Sequence, residues 1–210
     1  MWRYAHYRIG AADLDEHEAI TRLKSGDISG LETLVRQHQL QALRAAYLIT
    51  QDRALAEDVV QTAFLRTYQR IEQFDADRPF APWFLRSVVN AAIQTAQKQD
   101  RQFSLDEAVQ DNDANLTFAD LIPDAAPGLD ERLEQAEMQQ AVRLALQLLS
   151  PEQRAVVVLC YYLGLSEDEM SDQINIPSGT VKWRLHAARK RLRGLLDTFR
   201  GKSGLDWKEG

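Results

Sequence analysis

A strongly acidic segment near the middle of the chain limits what this sequence can fold into. Between Gln102 and Glu137 there are ten acidic residues and one basic residue, so the segment carries −9 in a chain whose net charge is −6. It contains the run IPDAAPG, and its first half shows little helical or strand periodicity. A polar, proline-punctuated stretch of one charge sign between periodic segments is typical of a linker. We therefore predict two domains, with a solvated loop inside a single domain as the alternative.

The residues before the linker have the apolar spacing of α-helices. One buried stripe is predicted over residues 31–49 and a second over residues 56–71, each with apolar residues three and four positions apart. A third helix is predicted over APWFLRSVVNAAIQTAQKQDR, where Pro82 lies in the first turn and is tolerated. No alternating strand pattern competes with these helices, so the sequence predicts an all-α fold.

The residues after the linker carry clear start and stop signals for three short segments. Ser150, directly before a proline, is a helix N-cap, and Gly164 is a typical residue for ending that helix. Ser166 then caps a short helix over EDEMSDQI, whose acidic first turn suits the positive end of the helix dipole. The run NIPSG forms a turn, and the last helix begins at Ser178 or Thr180. This order predicts a helix-turn-helix.

The last helix is strongly basic. Between Ser178 and Arg200 there are seven basic residues and one acidic residue, a net charge of +6. Lysine and arginine can neutralise phosphates or bind guanine, and an exposed helix N-terminus also favours phosphate. Because the basic helix is the second of a helix-turn-helix, we expect it to bind DNA. Its predicted buried stripe is Val181, Leu185, Ala188, Leu192, Leu195 and Phe199.

Composition excludes several classes of protein. The single cysteine, Cys160, rules out an internal disulfide and a multi-cysteine zinc site, and its apolar surroundings predict a buried, inert thiol. His38 lies on an apolar stripe and is predicted to be a satisfied core histidine; no catalytic, metal or cofactor motif is present. The chain shows neither a secretory signal nor a run of about 18 apolar residues, so we expect a soluble, cytoplasmic protein that is not an enzyme and needs no cofactor.

The second predicted helix has an unusual exposed face. Opposite its buried stripe lie Asp58, Gln61, Thr62, Leu65 and Gln69, so that one apolar side chain stands among polar ones. Single surface leucines are common and need no explanation. The functional alternative is that this face docks a partner protein.

Two stretches of the sequence resemble one family. The run from LSPEQRAVVVLCYYLGL to PSGTVKWRLHAARKRLR resembles region four of the extracytoplasmic-function (ECF) class of RNA polymerase sigma factors. The resemblance is taken to place the chain in the primary sigma family. AEDVVQTAFLRTYQRI and PFAPWFLRSVVN resemble region two. The resemblance covers roughly Leu23 to Leu196 and implies two helical domains that recognise promoters for core RNA polymerase. The implied divisions are an N-terminal extension (1–22), region two (23–101), an acidic linker (102–132), region four (133–200) and a tail (201–210).

The resemblance also implies three sets of contact residues. Core polymerase would dock on the exposed face of the second helix, and the loop from Phe74 to Pro82 would help to open the minus-ten element and hold an unstacked base. The implied polymerase contacts are Asp58, Gln61 and Leu65. The implied minus-ten contacts are Phe80, Trp83, Arg86, Asn90, Lys98 and Arg101. For Trp83 the alternative is packing in the core. The implied minus-thirty-five contacts are Ser178, Thr180, Lys182, Trp183, Arg184, His186, Arg189 and Lys190.

Some positions depart from the family pattern. After Asn90 only Lys98 and Arg101 supply positive charge, where several arginines are usual. Trp183 replaces a common small residue, and Ala187 stands where arginine is frequent. A tryptophan donates one hydrogen bond and offers apolar contact, whereas arginine can bind guanine in two places. We therefore predict an unusual minus-thirty-five sequence, with Lys182, Trp183 and His186 as its readers.

Partners follow from the same resemblance, whereas the helix-turn-helix by itself leaves a rival function open. An anti-sigma factor is an expected partner besides polymerase and promoter DNA, and no membrane insertion is expected. In the free protein the acidic linker could lie against the basic helix and discourage DNA binding. The alternative function is an autonomous helix-turn-helix transcriptional regulator.

Overall fold

The computed structural model describes residues 11–105, 140 and 142–203. Every regular element among these residues is helical. The all-α prediction is therefore confirmed. Residues 1–10, most of the predicted acidic linker and the last seven residues lie outside the described part. The helices are α1 (Ala11–Lys24), α2 (Ser29–Thr50), α3 (Arg53–Arg70), α4 (Phe80–Leu105), α5 (Pro151–Val157), α6 (Glu167–Ile174) and α7 (Ser178–Ser203).

Helices α1 to α4 pack around an aromatic core. Phe80 and Phe84 are fully buried and stack with ring centroids 5.6 Å apart, and Phe64 lies 4.4 Å from Phe84. His38 packs against the Phe80 ring, and its Nε2 lies 2.7 Å from Oε2 of Glu16. The prediction of a satisfied core histidine is confirmed, because its ring is buried and its polar nitrogen has a partner.

The ends of α3 and α4 follow from local chemistry. Asp52 is extended and accepts a hydrogen bond from the backbone N–H of Leu55, which starts α3. A short 3-10 turn, Ile71–Gln73, ends it. Helix α4 then runs to Leu105, whereas the prediction ended it at Arg101. The beginning of the predicted linker is thus helical.

In the C-terminal domain, both predicted caps are present as capping boxes. Ser150 pairs with Gln153 at the start of α5, and Ser166 pairs with Glu169 at the start of α6. Two residues then take positive φ angles that end helices or turns, namely Gly164 at 68° and Asn175 at 53°.

The helix predicted to reach Gly164 differs from expectation. Regular α-helix ends at Val157, and Val158–Tyr162 form a π-helical turn in which the N–H of Leu163 donates to the carbonyl of Val158 over 3.0 Å. Cys160 lies in this turn and is half-buried, so the prediction of a buried thiol is wrong in degree. The wide turn directs it toward α7, with its Sγ 4.0 Å from Nη2 of Arg189.

Candidate polymerase and nucleic-acid interfaces

The face of α3 identified from the sequence points to solvent and does not pack against the hydrophobic core. Asp58, Gln61 and Leu65 are all exposed, and 54% of the Leu65 surface is accessible. Tyr68, one turn after Leu65, is also exposed at 42%. The opposite side of α3 is buried, so the helix is fixed while this face stays accessible. Two large apolar side chains beside polar groups make a surface suited to a protein partner.

A pocket of about 190 Å³ opens between α3 and α4. The Trp83 ring forms part of its wall, with its centroid 4.9 Å from that of Phe74 and 5.8 Å from that of Phe80. Trp83 is therefore half-buried, packing on the core while lining the pocket. The lining consists of Arg66, Thr67, Arg70, Trp83, Arg86 and Ser87. Three guanidinium groups around an aromatic ring can hold a phosphate and stack with a base.

Arg66 and Arg70 were not among the predicted minus-ten contacts, which all lie on α4. These arginines lie four residues apart on α3 and therefore share one face. Spacing alone could have identified that basic face. Only the packing of α3 against α4 places it opposite Trp83.

The remaining minus-ten candidates occupy different environments. Phe80 is fully buried among the other aromatic rings, so the prediction that it contacts DNA directly needs correction. Lys98 and Arg101 are exposed on α4, as is Arg86. Asn90 is half-buried, and its Nδ2 donates to the backbone carbonyls of Arg86 at 2.9 Å and Gln173 at 3.2 Å.

Helix α7 presents its basic side to solvent. Its first apolar positions, Val181, Leu185 and Ala188, are buried as predicted, whereas the side chains of Leu195 and Phe199 lie outside the described part. The exposed candidates are Lys182, Trp183, His186, Arg189 and Lys190, while Ser178, Thr180 and Arg184 are half-buried. Trp183 is 67% exposed. Most of this ring is therefore accessible to another molecule.

Two contacts fix basic side chains at the edges of this surface. Lys182 Nζ lies 3.3 Å from Oε2 of Glu167, which ties α7 to the start of α6. Arg189 Nε donates to the Tyr161 hydroxyl over 2.8 Å, and its guanidinium carbon lies 5.6 Å from the centre of that ring. The hydrogen bond to Tyr161 raises the pKa of Arg189 further above its already high ordinary value. Both groups are held where a phosphate could approach them.

Other kinds of site are not found among the residues that the structure describes. Within those ranges no group of three or more histidine, cysteine or acidic side chains could hold a metal ion. In the same part of the chain, no helix is both long and apolar enough to cross a bilayer.

Comparisons with known proteins match both halves of the chain to one family. The family model for sigma-70 region 2 matches residues 34–102, and that for sigma-70 region 4 matches residues 139–192. The chain is 33% identical over 173 residues to the RNA polymerase sigma-E factor of Streptomyces avermitilis, covering 82% of this chain and 88% of the relative. It is 29% identical to the ECF sigma factor SigW of Bacillus subtilis, over 83% of this chain and 92% of that protein.

Solved structures show the same fold. CnrH in complex with the cytosolic domain of CnrY matches 88% of this chain and 98% of that chain, with a TM-score of 0.58 and 23% identity. The sigma factor RpoE in complex with the anti-sigma factor NepR from Bartonella quintana matches 79% of this chain and 94% of that chain, with a TM-score of 0.57 and 23% identity. The relatives are ECF factors, so our placement in a primary sigma family was imprecise. The chain belongs to the ECF class of RNA polymerase sigma factors and acts as an alternative sigma factor.

Proposed function

We propose that this sigma factor divides its work among three surfaces. The exposed face of α3 docks on core RNA polymerase, the α3–α4 pocket holds the opened minus-ten strand, and the basic side of α7 contacts the minus-thirty-five duplex. The observation that carries the proposal is the pocket, where Trp83 lies among Arg66, Arg70 and Arg86. An aromatic ring and several cations suit single-stranded DNA better than a folded protein surface.

The α3 face is suited to polymerase because it is rigid and chemically mixed. Leu65 and Tyr68 supply apolar contact area, and Asp58 and Gln61 supply hydrogen-bonding groups beside them. The buried side of the same helix packs on the aromatic core, so docking does not require α3 to move. Preorganised surfaces lose less entropy on binding.

At the minus-thirty-five surface, α7 would lie in the major groove. Lys182, Trp183 and His186 come from its N-terminal half, where a recognition helix contacts bases. Arg189 and Lys190 lie farther along and are placed to neutralise phosphates. Because Trp183 offers apolar contact and one donor, the preferred bases should differ from those that an arginine selects.

Several further assignments belong to this proposal. The domain divisions are those given in the sequence analysis, and the protein works in the cytoplasm with polymerase, without catalysis of its own. An anti-sigma factor is a proposed partner, supported by the fold shared with sigma factors that were solved in complexes with CnrY and NepR. The basic side of α7 would also suit an autonomous regulator, which is the second candidate function.

The docking assignment is tested with purified core polymerase and DNA from upstream of the protein's own gene. The double variant Asp58→Ala, Gln61→Ala should lose polymerase binding and therefore promoter melting. Glu72→Ala, Gln73→Ala is a matched control, because it removes an exposed acid and amide from the neighbouring turn. Specific duplex binding by the protein alone, unchanged by polymerase, would favour the autonomous regulator instead.

The pocket is tested separately with Arg66→Ala, Arg70→Ala. This variant should bind polymerase normally and melt the promoter poorly, since only phosphate contacts are removed. Lower salt should partly restore melting. If polymerase binding falls as much as melting does, the arginines belong to the docking surface and the pocket assignment is wrong.

A further inference from the structure

Tyr161 is an exposed aromatic residue that belongs to none of the three proposed surfaces. It lies in the π-helical turn and is 63% exposed, whereas Val158 and Leu159 in the same turn are buried. The stability that an aromatic ring supplies depends on how much of it leaves water, so an exposed ring contributes little to packing. What the ring and the hydroxyl group contact is therefore more informative than their burial.

Both chemical parts of Tyr161 contact Arg189 on α7. The hydroxyl oxygen accepts a hydrogen bond from Nε of Arg189 over 2.8 Å, and the guanidinium carbon lies 5.6 Å from the centre of the ring. That second distance is within the range of a cation–π contact. Cys160 adds a third contact, with its Sγ 4.0 Å from Nη2 of Arg189. An arginine on a surface otherwise samples many rotamers, so these contacts reduce the entropy that it would lose on binding a ligand.

The π-helical turn is what brings two neighbouring residues to the same arginine. Adjacent side chains of a regular α-helix point about 100° apart and do not face one partner. Here Cys160 and Tyr161 both reach Arg189, in a turn closed by the wider hydrogen bond from the N–H of Leu163 to the carbonyl of Val158. Single turns of this kind often occur at functional sites.

The group that holds Arg189 is uncharged. Lys182, by contrast, is paired with the Glu167 carboxylate at 3.3 Å, which offsets part of its charge. Among the residues that the structure describes, no carboxylate forms an ion pair with Arg189. A hydroxyl therefore fixes the guanidinium in place and leaves its positive charge available to an anion. The contacts involve Nε and Nη2, so they do not use the N–H groups on Nη1.

The Tyr161 hydroxyl can also donate a hydrogen bond of its own. A phenol has one O–H donor besides its acceptor lone pairs, and the contact with Arg189 uses only the oxygen as an acceptor. The pair thus offers a cationic donor and a neutral donor next to each other on the surface. Phosphate oxygens accept hydrogen bonds and carry negative charge, so a phosphate can engage both donors.

The position of Arg189 on α7 indicates which phosphate is meant. Lys182, His186 and Arg189 follow one another at spacings of four and three residues, so they share one face of the helix. Arg189 lies about 10 Å beyond Lys182 along the helix axis, at the helical rise per residue. A recognition helix contacts bases near its N-terminus, so a group two turns farther along is placed near the sugar-phosphate backbone.

We propose that Tyr161 and Arg189 together bind one backbone phosphate of the minus-thirty-five duplex. Arg189 supplies the charge, while Tyr161 supplies a second donor and holds the guanidinium in position. The inference rests on the proposed placement of α7 in the major groove. It adds a DNA contact from the segment before the helix-turn-helix, and such phosphate contacts fix the orientation of a recognition helix on the duplex.

The test uses the full chain bound to core polymerase and duplex DNA from upstream of the protein's own gene. Tyr161→Phe keeps the ring and removes the hydroxyl, so it should weaken binding about three- to tenfold and leave the melting temperature unchanged. In a second series of duplexes, one phosphate at a time is replaced by an uncharged methylphosphonate. At one position this replacement should weaken the wild type, and there the wild type, Tyr161→Phe and Arg189→Ala should bind nearly alike.

Tyr162→Phe is the matched control, because it removes the neighbouring hydroxyl, which is hydrogen-bonded to Arg44 on α2 instead. It should bind like the wild type and keep the same phosphate sensitivity. Wild-type affinity of Tyr161→Phe would overturn the inference. Equal weakening of Tyr161→Phe on every methylphosphonate duplex would also overturn it, since that result indicates a general distortion of the domain. If no methylphosphonate upstream of the minus-ten element weakens the wild type, the proposed placement of α7 on DNA fails as well.

Discussion

Replacing Ser166 with alanine removes the capping box that starts α6. The Ser166 hydroxyl accepts a long hydrogen bond, 3.4 Å, from the N–H of Glu169 and donates a short one, 2.7 Å, to the Glu169 carboxylate. That carboxylate also accepts the N–H of Ser166 over 2.8 Å. Alanine loses both hydroxyl bonds and leaves only the last. The loss of such a cap typically costs about 1 kcal/mol.

Helix α6 has eight residues, so this loss should open it measurably. A cost of about 1 kcal/mol raises the population of the open helix by roughly fivefold. Amide hydrogen exchange of a peptide covering α6 should accelerate by that factor, while peptides from α3 should not change. Local exchange is the suitable assay because two domains need not unfold together.

The matched control is Ser166→Thr, which retains a capping hydroxyl. It should exchange close to the wild-type rate, because threonine is only slightly weaker as an N-cap. If Ser166→Ala and Ser166→Thr exchange at the same rate, packing of Met170 and Ile174 alone holds α6, and the capping argument is wrong.

Two further predictions concern backbone packing and DNA binding. A Cβ on Gly30 would lie 2.1 Å from the backbone oxygen of Ala19, so Gly30→Ala should lower the melting temperature. The control Gly179→Ala, whose Cβ would meet open space in α7, should leave the melting temperature equal or higher. Equal melting temperatures for the two variants would contradict the close α1–α2 contact. Lys190→Ala should weaken binding of the polymerase complex to promoter DNA and reduce the slope of log affinity against log salt by about 1, as expected for one lost phosphate contact. An unchanged slope, the result expected for Arg36→Ala on α2, would show that Lys190 does not contact phosphate.

The candidate site was only partly predictable, and individual residues show why. Leu65 was identified because an apolar residue stood alone on a polar helical face, and the structure leaves it exposed. Phe80 was assigned to DNA by resemblance, but tertiary packing buries it completely among other rings. Arg66 was not predicted as a contact, because it forms a candidate site only together with Trp83, which lines the same pocket from another helix.

The sequence by itself determined the local features of this protein. The caps at Ser150 and Ser166 and the apolar stripe of α7 depend on residues three or four positions apart, and such spacings can be seen in the sequence. The positive charge of α7 follows directly from its composition. Only the tertiary structure decided how the domains meet. The contact between Asn90 and Gln173 joins residues 83 positions apart, one on each side of the predicted linker. Its hydrogen bond depends on the docking of whole helices, because no short-range pattern specifies which amide will find which carbonyl.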